Sequence, residues 1–185
     1  MSNSQAKFCF ADFFAGPGGL SLGFEMTESF TPVYAVDADK DAAKTYGENR
    51  KGLDVEVHTG KISSVSPSDI RAKAKQNGFG GVDVMLAGPP CRPYSMANRS
   101  KENRWTRVQI PDEFRDLLNL VSELKPTAVV IENVGWSRRQ DWRHLRLRFP
   151  NYRVRLMVSS EATLSSLQKT LRIRLACRIN TISDY

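Results

Sequence analysis

Cysteine is scarce in this 185-residue chain: Cys9, Cys91 and Cys177 are few, odd in number and far apart. That pattern argues against a disulfide framework or a zinc site and for a reducing compartment, and no metal is expected. No apolar run approaches the length of a membrane span, and the first residues do not read as a secretory signal. The expected setting is therefore cytoplasmic or nucleoid-associated, with no membrane partner. Internal repeats and low-complexity tracts are missing too. So are the Gly-Lys-Ser/Thr of a phosphate-binding P-loop and the six-residue glycine fingerprint of dinucleotide folds. What is present, at 41% apolar residues, is one domain with enough apolar content for a core.

Apolar runs alternate with helical periodicities along the chain. Strands are expected near 8–12, 32–37, 54–58, 83–87, 127–131 and 152–158. Helices are expected near 19–27, 40–49, 67–77, 112–124 and 138–147. This alternation predicts an α/β fold with a doubly wound, mainly parallel sheet. The stretch from Met96 to Pro111 is polar, irregular and long for a connection, which reads as an active-site loop.

Three segments carry chemistry. The run Val82-Asp83-Val84-Met85-Leu86-Ala87 reads as a buried strand, and Gly88-Pro89-Pro90 stops it abruptly, because proline lacks the ladder N–H and fixes φ. Cys91 follows, so its thiol sits on a stiff loop at the carboxyl end of a strand, where open α/β sheets bind ligands. A lone cysteine is most often a core residue; the rigid loop favours a nucleophile instead. The second segment, Asp12-Phe13-Phe14-Ala15-Gly16-Pro17-Gly18-Gly19-Leu20, joins the short strand Phe8-Cys9-Phe10-Ala11 to the amphipathic run Leu20 to Met26. That layout brings backbone N–H groups close to a cofactor, although a plain tight turn has the same composition. The third is Ala128-Val129-Val130-Ile131-Glu132-Asn133-Val134, a β-branched strand ending in a carboxylate. Glu132 is either a solvated strand end or, sharing an edge with the loop cysteine, a proton donor with a raised pKa.

Phe14-x-Gly16-x-Gly18-Gly19, then Pro90-Cys91 with Ser95 four residues on, then Glu132-Asn133-Val134, in that order, resembles the cytosine-C5 DNA methyltransferase family. The resemblance runs from about Phe8 to Val134. It implies the Rossmann-like methyltransferase sheet, S-adenosylmethionine as cofactor, a cytosine base as substrate and DNA as partner. Carried onto this chain, it makes Cys91 the thiolate that adds to cytosine C6 and Glu132 the group that holds N3 and the exocyclic amine. Thiolate is the best available nucleophile for that addition. A stacked base is out of reach, so the activity implies base flipping.

The resemblance also implies a cofactor site. Phe14 would lie against the adenine or the sulfonium, and Gly16, Gly18 and Gly19 would line the methionine side, with Leu20, Gly88 and Pro90 beside them. Thr31 to Asp37 reads as the second strand, and its terminal acid, Asp37, is placed to accept both ribose hydroxyls; Asp39 and Asp41 stand close enough in sequence to compete for the role. Where the family often carries an acid near the third strand, this chain reads Gly60-Lys61-Ile62. Lys61 cannot accept from the adenine amine, while Ile62 can pack on the adenine face. Arg92 stands where the family usually has Gln, and its charge favours the thiolate or contacts phosphate. Ser95, Arg92, Arg172 and Arg174 are the candidate DNA contacts. The last two come from Gln168 to Arg174, an imperfect match to the family's Gln-x-Arg-x-Arg, and alternating Arg with Leu and Ile also describes a half-exposed strand.

Charge is divided unevenly. Residues 1–91 hold 9 Lys+Arg against 11 Asp+Glu, and residues 92–185 hold 18 against 9. A basic half beginning at the cysteine loop suits a polyanion docking there, although the Arg139 to Arg148 stretch also reads as a solvated helix face. Residues 1–158 are expected to form the cofactor-binding and catalytic domain, and residues 159–185 a degenerate or truncated tail with one further strand. Full family members carry a recognition domain and a late closing helix for which this length has no room. Three readings follow: the catalytic half of an enzyme completed by a second polypeptide, a non-catalytic remnant that binds cofactor or DNA, and an unrelated α/β binding module with a chance motif set. Cytosine in tRNA is the alternative substrate.

Overall fold

The computed structural model describes residues 8–90, 112–134, 149, 151–159 and 171–178. Cys91, Arg92, Ser95, the Met96 to Pro111 stretch and the helix expected at 138–147 lie outside these residues. For Arg172 and Arg174 the backbone is described and the side chains are not.

The elements alternate as β1 (Phe8–Phe13), α1 (Gly19–Glu25), β2 (Phe30–Asp37), α2 (Lys40–Glu48), β3 (Glu56–Thr59), α3 (Pro67–Gln76), β4 (Val84–Ala87), α4 (Asp112–Leu124) and β5 (Ala128–Val134). Two strands follow, β6 (Tyr152–Ser159) and β7 (Leu171–Arg178). They form one sheet of order β3-β2-β1-β4-β5-β7-β6. The first five are mutually parallel, as the βα alternation predicts. β7 runs antiparallel to both neighbours, entering between β5 and β6.

Local chemistry sets the element ends. Asp39 caps α2, its carboxylate accepting the amides of Asp41 and Ala42, and Pro67 opens α3 where no N–H is required. β2 begins two residues earlier than expected, at Phe30, because Pro32 does not end the strand. The ladder instead slips there: Phe10 pairs with Pro32 and Ala11 with Tyr34, leaving Val33 as the extra residue. A bulge is how an inner strand tolerates a residue without a ladder N–H.

Alternating side chains feed both faces of the sheet. On one face Cys9, Phe13, Met85 and Ile131 pack with Ile70 and Ala74 of α3 and with Leu117 and Val121 of α4. On the other, Phe10, Leu86 and Val130 meet Leu20 and Phe24 of α1, and Ala35 meets Tyr46 of α2. The chain leaves β1 for β2 on one side and later returns to β4 on the other. The crevice at the carboxyl ends of β1 and β4 is therefore the switch point of the sheet, where this architecture places ligands. Among the described residues no helix is long and apolar enough to cross a membrane.

Candidate active site at the carboxyl edge of the sheet

The turn after β1 occupies the switch point and is tied to both sides. The Ala15 amide donates to Val36 O (3.1 Å), and the Gly88 amide donates to Phe13 O (3.1 Å), so the ends of β2 and β4 are drawn to the same turn. Phe14 and Gly16 take left-handed backbone, φ 57° and 55°. For a phenylalanine that conformation costs about 1–3 kcal/mol, a strain of the kind found where a fold holds a functional turn. The Gly16 amide donates to Asp37 Oδ2 at 2.7 Å, and the Asp39 amide to Asp37 Oδ1 at 2.8 Å. Asp37 is thereby fixed at the rim, half-buried, with each oxygen accepting one amide and retaining capacity for another donor. Its rival Asp39 spends its carboxylate on the α2 cap, and Asp41 lies in the first turn of that helix.

The glycines divide. A Cβ built on Gly16 or Gly19 meets nothing within 4 Å among the described residues, which leave the space in front of the turn open. Gly18 is different: a Cβ there would run into Arg50 Nη1 and lie 2.8 Å from Nη2 and 2.9 Å from Cζ. The demand for glycine at 18 therefore comes from two sources, a backbone φ of 95° and a buried arginine behind the turn. Leu20 packs into the core beneath α1. Ile62 is 5% exposed and belongs to the main core, so it supports the pocket wall from within and offers little face to an adenine. Lys61 is exposed, at the start of the short turn Ile62–Ser64.

Glu132 reaches the same edge from β5. A Cβ on Gly88 would sit 3.6 Å from Glu132 Oε2 and 3.7 Å from Phe14 O. The carboxylate thus overlies the first residue of the Gly-Pro-Pro turn that leads to Cys91. Pro89 is buried and Pro90 exposed, so that turn is rooted in the fold and its end faces out. Burial raises the Glu132 pKa above the ordinary carboxylate value, which enlarges the protonated fraction near neutral pH. In the backbone register, Arg172 stands opposite Asn133 and Arg174 opposite Ile131, flanking Glu132 along β7. Among the described residues no group of three or more His, Cys, Asp or Glu is arranged to hold a metal ion.

Beneath the turn lies a polar network that the sequence pattern did not reveal. Asp12, 1% exposed and next to the last residue of β1, accepts the Ser21 hydroxyl at 2.5 Å, and Ser21 shares a 2.8 Å hydrogen bond with the Tyr46 hydroxyl. Arg50 adjoins them, 5% exposed and paired with Glu25. The available signals were an aspartate inside an apolar strand and an arginine immediately after a helix. Burial pushes Asp12 up from an ordinary 3.8 to about 6, against the opposing pull of the Ser21 hydroxyl and Arg50. Because the folded-state pKa exceeds the unfolded one, the Asp12 contribution to stability is full below 3.8 and is lost as pH rises through about 6. Asp12→Asn keeps an acceptor for Ser21 and removes the charge. Its stability relative to wild type is expected to improve by about 1–3 kcal/mol between pH 4 and pH 8. Denaturation midpoints at the two pH values check this; any fixed cost of the amide nitrogen cancels in the difference, and a pH-independent gap would contradict it.

Residues 8–147 match the sequence profile of a family described as C-5 cytosine-specific DNA methylase. The chain is 30% identical over 166 residues to the type II methyltransferase M.AluI of Cellulosimicrobium cellulans, covering 83% of this chain and 29% of that protein. It is 36% identical over 124 residues to M.Bsp6I of Bacillus sp. (strain RFL6), covering 67% and 35%. The chain thus spans about a third of the length of these curated relatives. Among solved structures it resembles a putative DNA modification methyltransferase from an Escherichia coli prophage, with TM-score 0.66, 22% identity, and 92% and 47% coverage of the two chains. It also resembles a mutant DNMT2 from Spodoptera frugiperda, with TM-score 0.68, 18% identity, and 96% and 52% coverage. At such identities the structural likeness speaks for the fold alone, a Rossmann-like sheet.

Proposed function

This chain belongs to the C-5 cytosine-specific DNA methylase family, and on that premise we propose that it transfers a methyl group from S-adenosylmethionine to C5 of cytosine in DNA through a covalent bond to Cys91. The observation that carries the proposal is the meeting of Glu132 with the Gly88 turn. A carboxyl group with a raised pKa overlies Gly88, three residues before Cys91 in the sequence.

The described residues suit the cofactor. They leave open space before Gly16 and Gly19, and the oriented Asp37 carboxylate at its rim has acceptor capacity for a ribose diol. When bound, S-adenosylmethionine supplies an electrophilic methyl on a sulfonium. The protein's part is to make C5 able to receive it. The Cys91 thiolate adds to C6, forming a C–S bond and pushing the ring electrons toward C5 and N3. Glu132, protonated, hydrogen-bonds N3 and offsets the charge that accumulates there, assistance typically worth ~10²–10⁴-fold. C5 thereby becomes an enamine-like carbon. Once C5 carries the methyl group, loss of its proton returns the electron pair to the ring and expels the Cys91 thiolate, restoring the enzyme.

The decisive measurement uses methyl-labelled S-adenosylmethionine and duplex DNA, followed by nucleoside mass spectrometry. Label in 5-methyldeoxycytidine is expected. Label on an exocyclic amine, or on tRNA with none on DNA, would overturn the proposal. Asp37→Ala is expected to weaken cofactor binding by about 1.5–3 kcal/mol, the scale for a lost hydrogen bond to a charged group. Calorimetric titration checks it, and unchanged affinity would move the ribose elsewhere.

A further inference from the structure

Arg50 lies just beyond the end of α2, 5% exposed, and four hydrogen bonds and one ring contact hold its guanidinium. Nε and Nη2 donate to the two oxygens of Glu25 at 2.6 and 2.9 Å. Nη2 also donates to Gly18 O at 3.0 Å, and Nη1 to Tyr46 O at 3.4 Å. Its Cζ stands 3.8 Å over the Tyr46 ring. Gly18 O in turn accepts the Leu22 amide at 2.9 Å, and the Gly18 amide donates to Ala15 O at 3.0 Å. Arg50 therefore grips the residue on which the turn becomes helix. Gly16, two residues earlier, is held from the other side by Asp37. α1 is only seven residues long and has no side-chain cap at its start, so it has little capacity of its own to hold the turn in shape. An ion pair this deeply buried is a weak source of stability, since desolvation offsets most of its attraction. Its value lies in geometry: a planar fork fixes two partners at once.

We propose that Arg50, paired with Glu25, is a positioning residue that preforms the Gly16–Gly19 turn for cofactor binding. The clamp holds the Gly18 carbonyl from behind, and the Gly16 amide consequently meets Asp37 before any ligand arrives. Affinity thus gains from ordering that the fold has already completed. This inference rests on the reading that the cofactor occupies this turn.

The test pairs Arg50→Met with Glu25→Leu, which removes both charges of the ion pair together. The double variant is expected to melt within a few degrees of wild type yet to bind S-adenosylhomocysteine about 10–50-fold more weakly, a loss of preorganisation and not of contact. Amide hydrogen exchange is expected to quicken at Gly16, Gly18 and Leu22 and to stay unchanged in β4 and β5. Unchanged affinity in the folded double variant overturns the inference. So does a loss of affinity accompanied by equal loss of protection across the sheet, which marks general destabilisation. Should the double variant fail to fold, Arg50→Lys gives the answer: it retains a charge for Glu25 but has no fork to reach Gly18 as well. The same direction of change is expected, and wild-type affinity in that variant overturns the clamp. Wild-type protein that binds neither S-adenosylhomocysteine nor S-adenosylmethionine overturns the functional reading itself, and this inference with it.

Discussion

With Cys91 replaced by alanine, DNA containing 5-fluorocytosine is expected to form no covalent adduct, whereas the unaltered protein with S-adenosylmethionine traps one. The argument is chemical. Fluorine at C5 cannot leave as a cation, so the step that regenerates the free thiolate is blocked once C5 has taken the methyl. Protein, base and methyl then stay joined. A serine or alanine at position 91 supplies no thiolate near neutral pH, and the addition at C6 does not start. Mass spectrometry of the denatured mixture detects an adduct equal to protein plus oligonucleotide plus one methyl group, less the thiol proton. Its persistence in Cys91→Ala would assign the nucleophile elsewhere. Cys9 is a poor substitute: it is fully buried in β1, its thiol donates to Gly81 O at 3.0 Å, and burial pushes its pKa up to about 12.

Gly18→Ala is expected to cost both stability and cofactor affinity, and by more than the same change at either neighbouring glycine. Two penalties coincide at this residue. Its φ of 95° lies where a side chain is strained, at roughly 1–3 kcal/mol. Its new methyl group would also overlap the Arg50 guanidinium. A free arginine would swing aside, but this one is fastened to Glu25, Gly18 O and Tyr46 O, so overpacking adds about 1–3 kcal/mol. At Gly16 the strain is present and the overlap is not; at Gly19 neither is. The order of destabilisation in urea is therefore expected to be Gly18→Ala, then Gly16→Ala, with Gly19→Ala close to wild type. In the Arg50→Met/Glu25→Leu background, the Gly18→Ala penalty should shrink by its packing share, a coupling that a double-mutant cycle measures directly. Equal penalties in the two backgrounds would show that backbone strain is the whole effect.

Legibility followed the simplicity of each residue's environment. The parallel strands were readable because both faces of a parallel sheet are covered, so β4 and β5 appear as unbroken apolar runs. The placement of Asp37 and Glu132 at the carboxyl edge was readable because each ends such a run. The glycine turn was legible as a turn, but its three glycines looked alike. Only tertiary packing shows that Gly18 answers to an arginine 32 residues later. Asp12 and Arg50 escaped notice because composition treats charged residues as solvated, and nothing local shows that a partner awaits them in the interior. The bulge at Pro32 and the entry of β7 between β5 and β6 were hidden for a related reason. Register and strand order depend on pairings between segments far apart in sequence, which local periodicity does not encode.

The placement of β7 also governs the order in which the sheet can be assembled. β6 is synthesised before β7 but reaches the sheet only through it, since β7 supplies the ladder on both sides. Until residues 171–178 have left the ribosome, the Ala128–Val134 edge stays open and β6 has no neighbour within the sheet. An uncovered strand reading Ala-Val-Val-Ile is an adhesive surface for other nascent chains. The fold thus leaves a vulnerable interval during synthesis, and β7 closes it by covering the strand that carries Glu132.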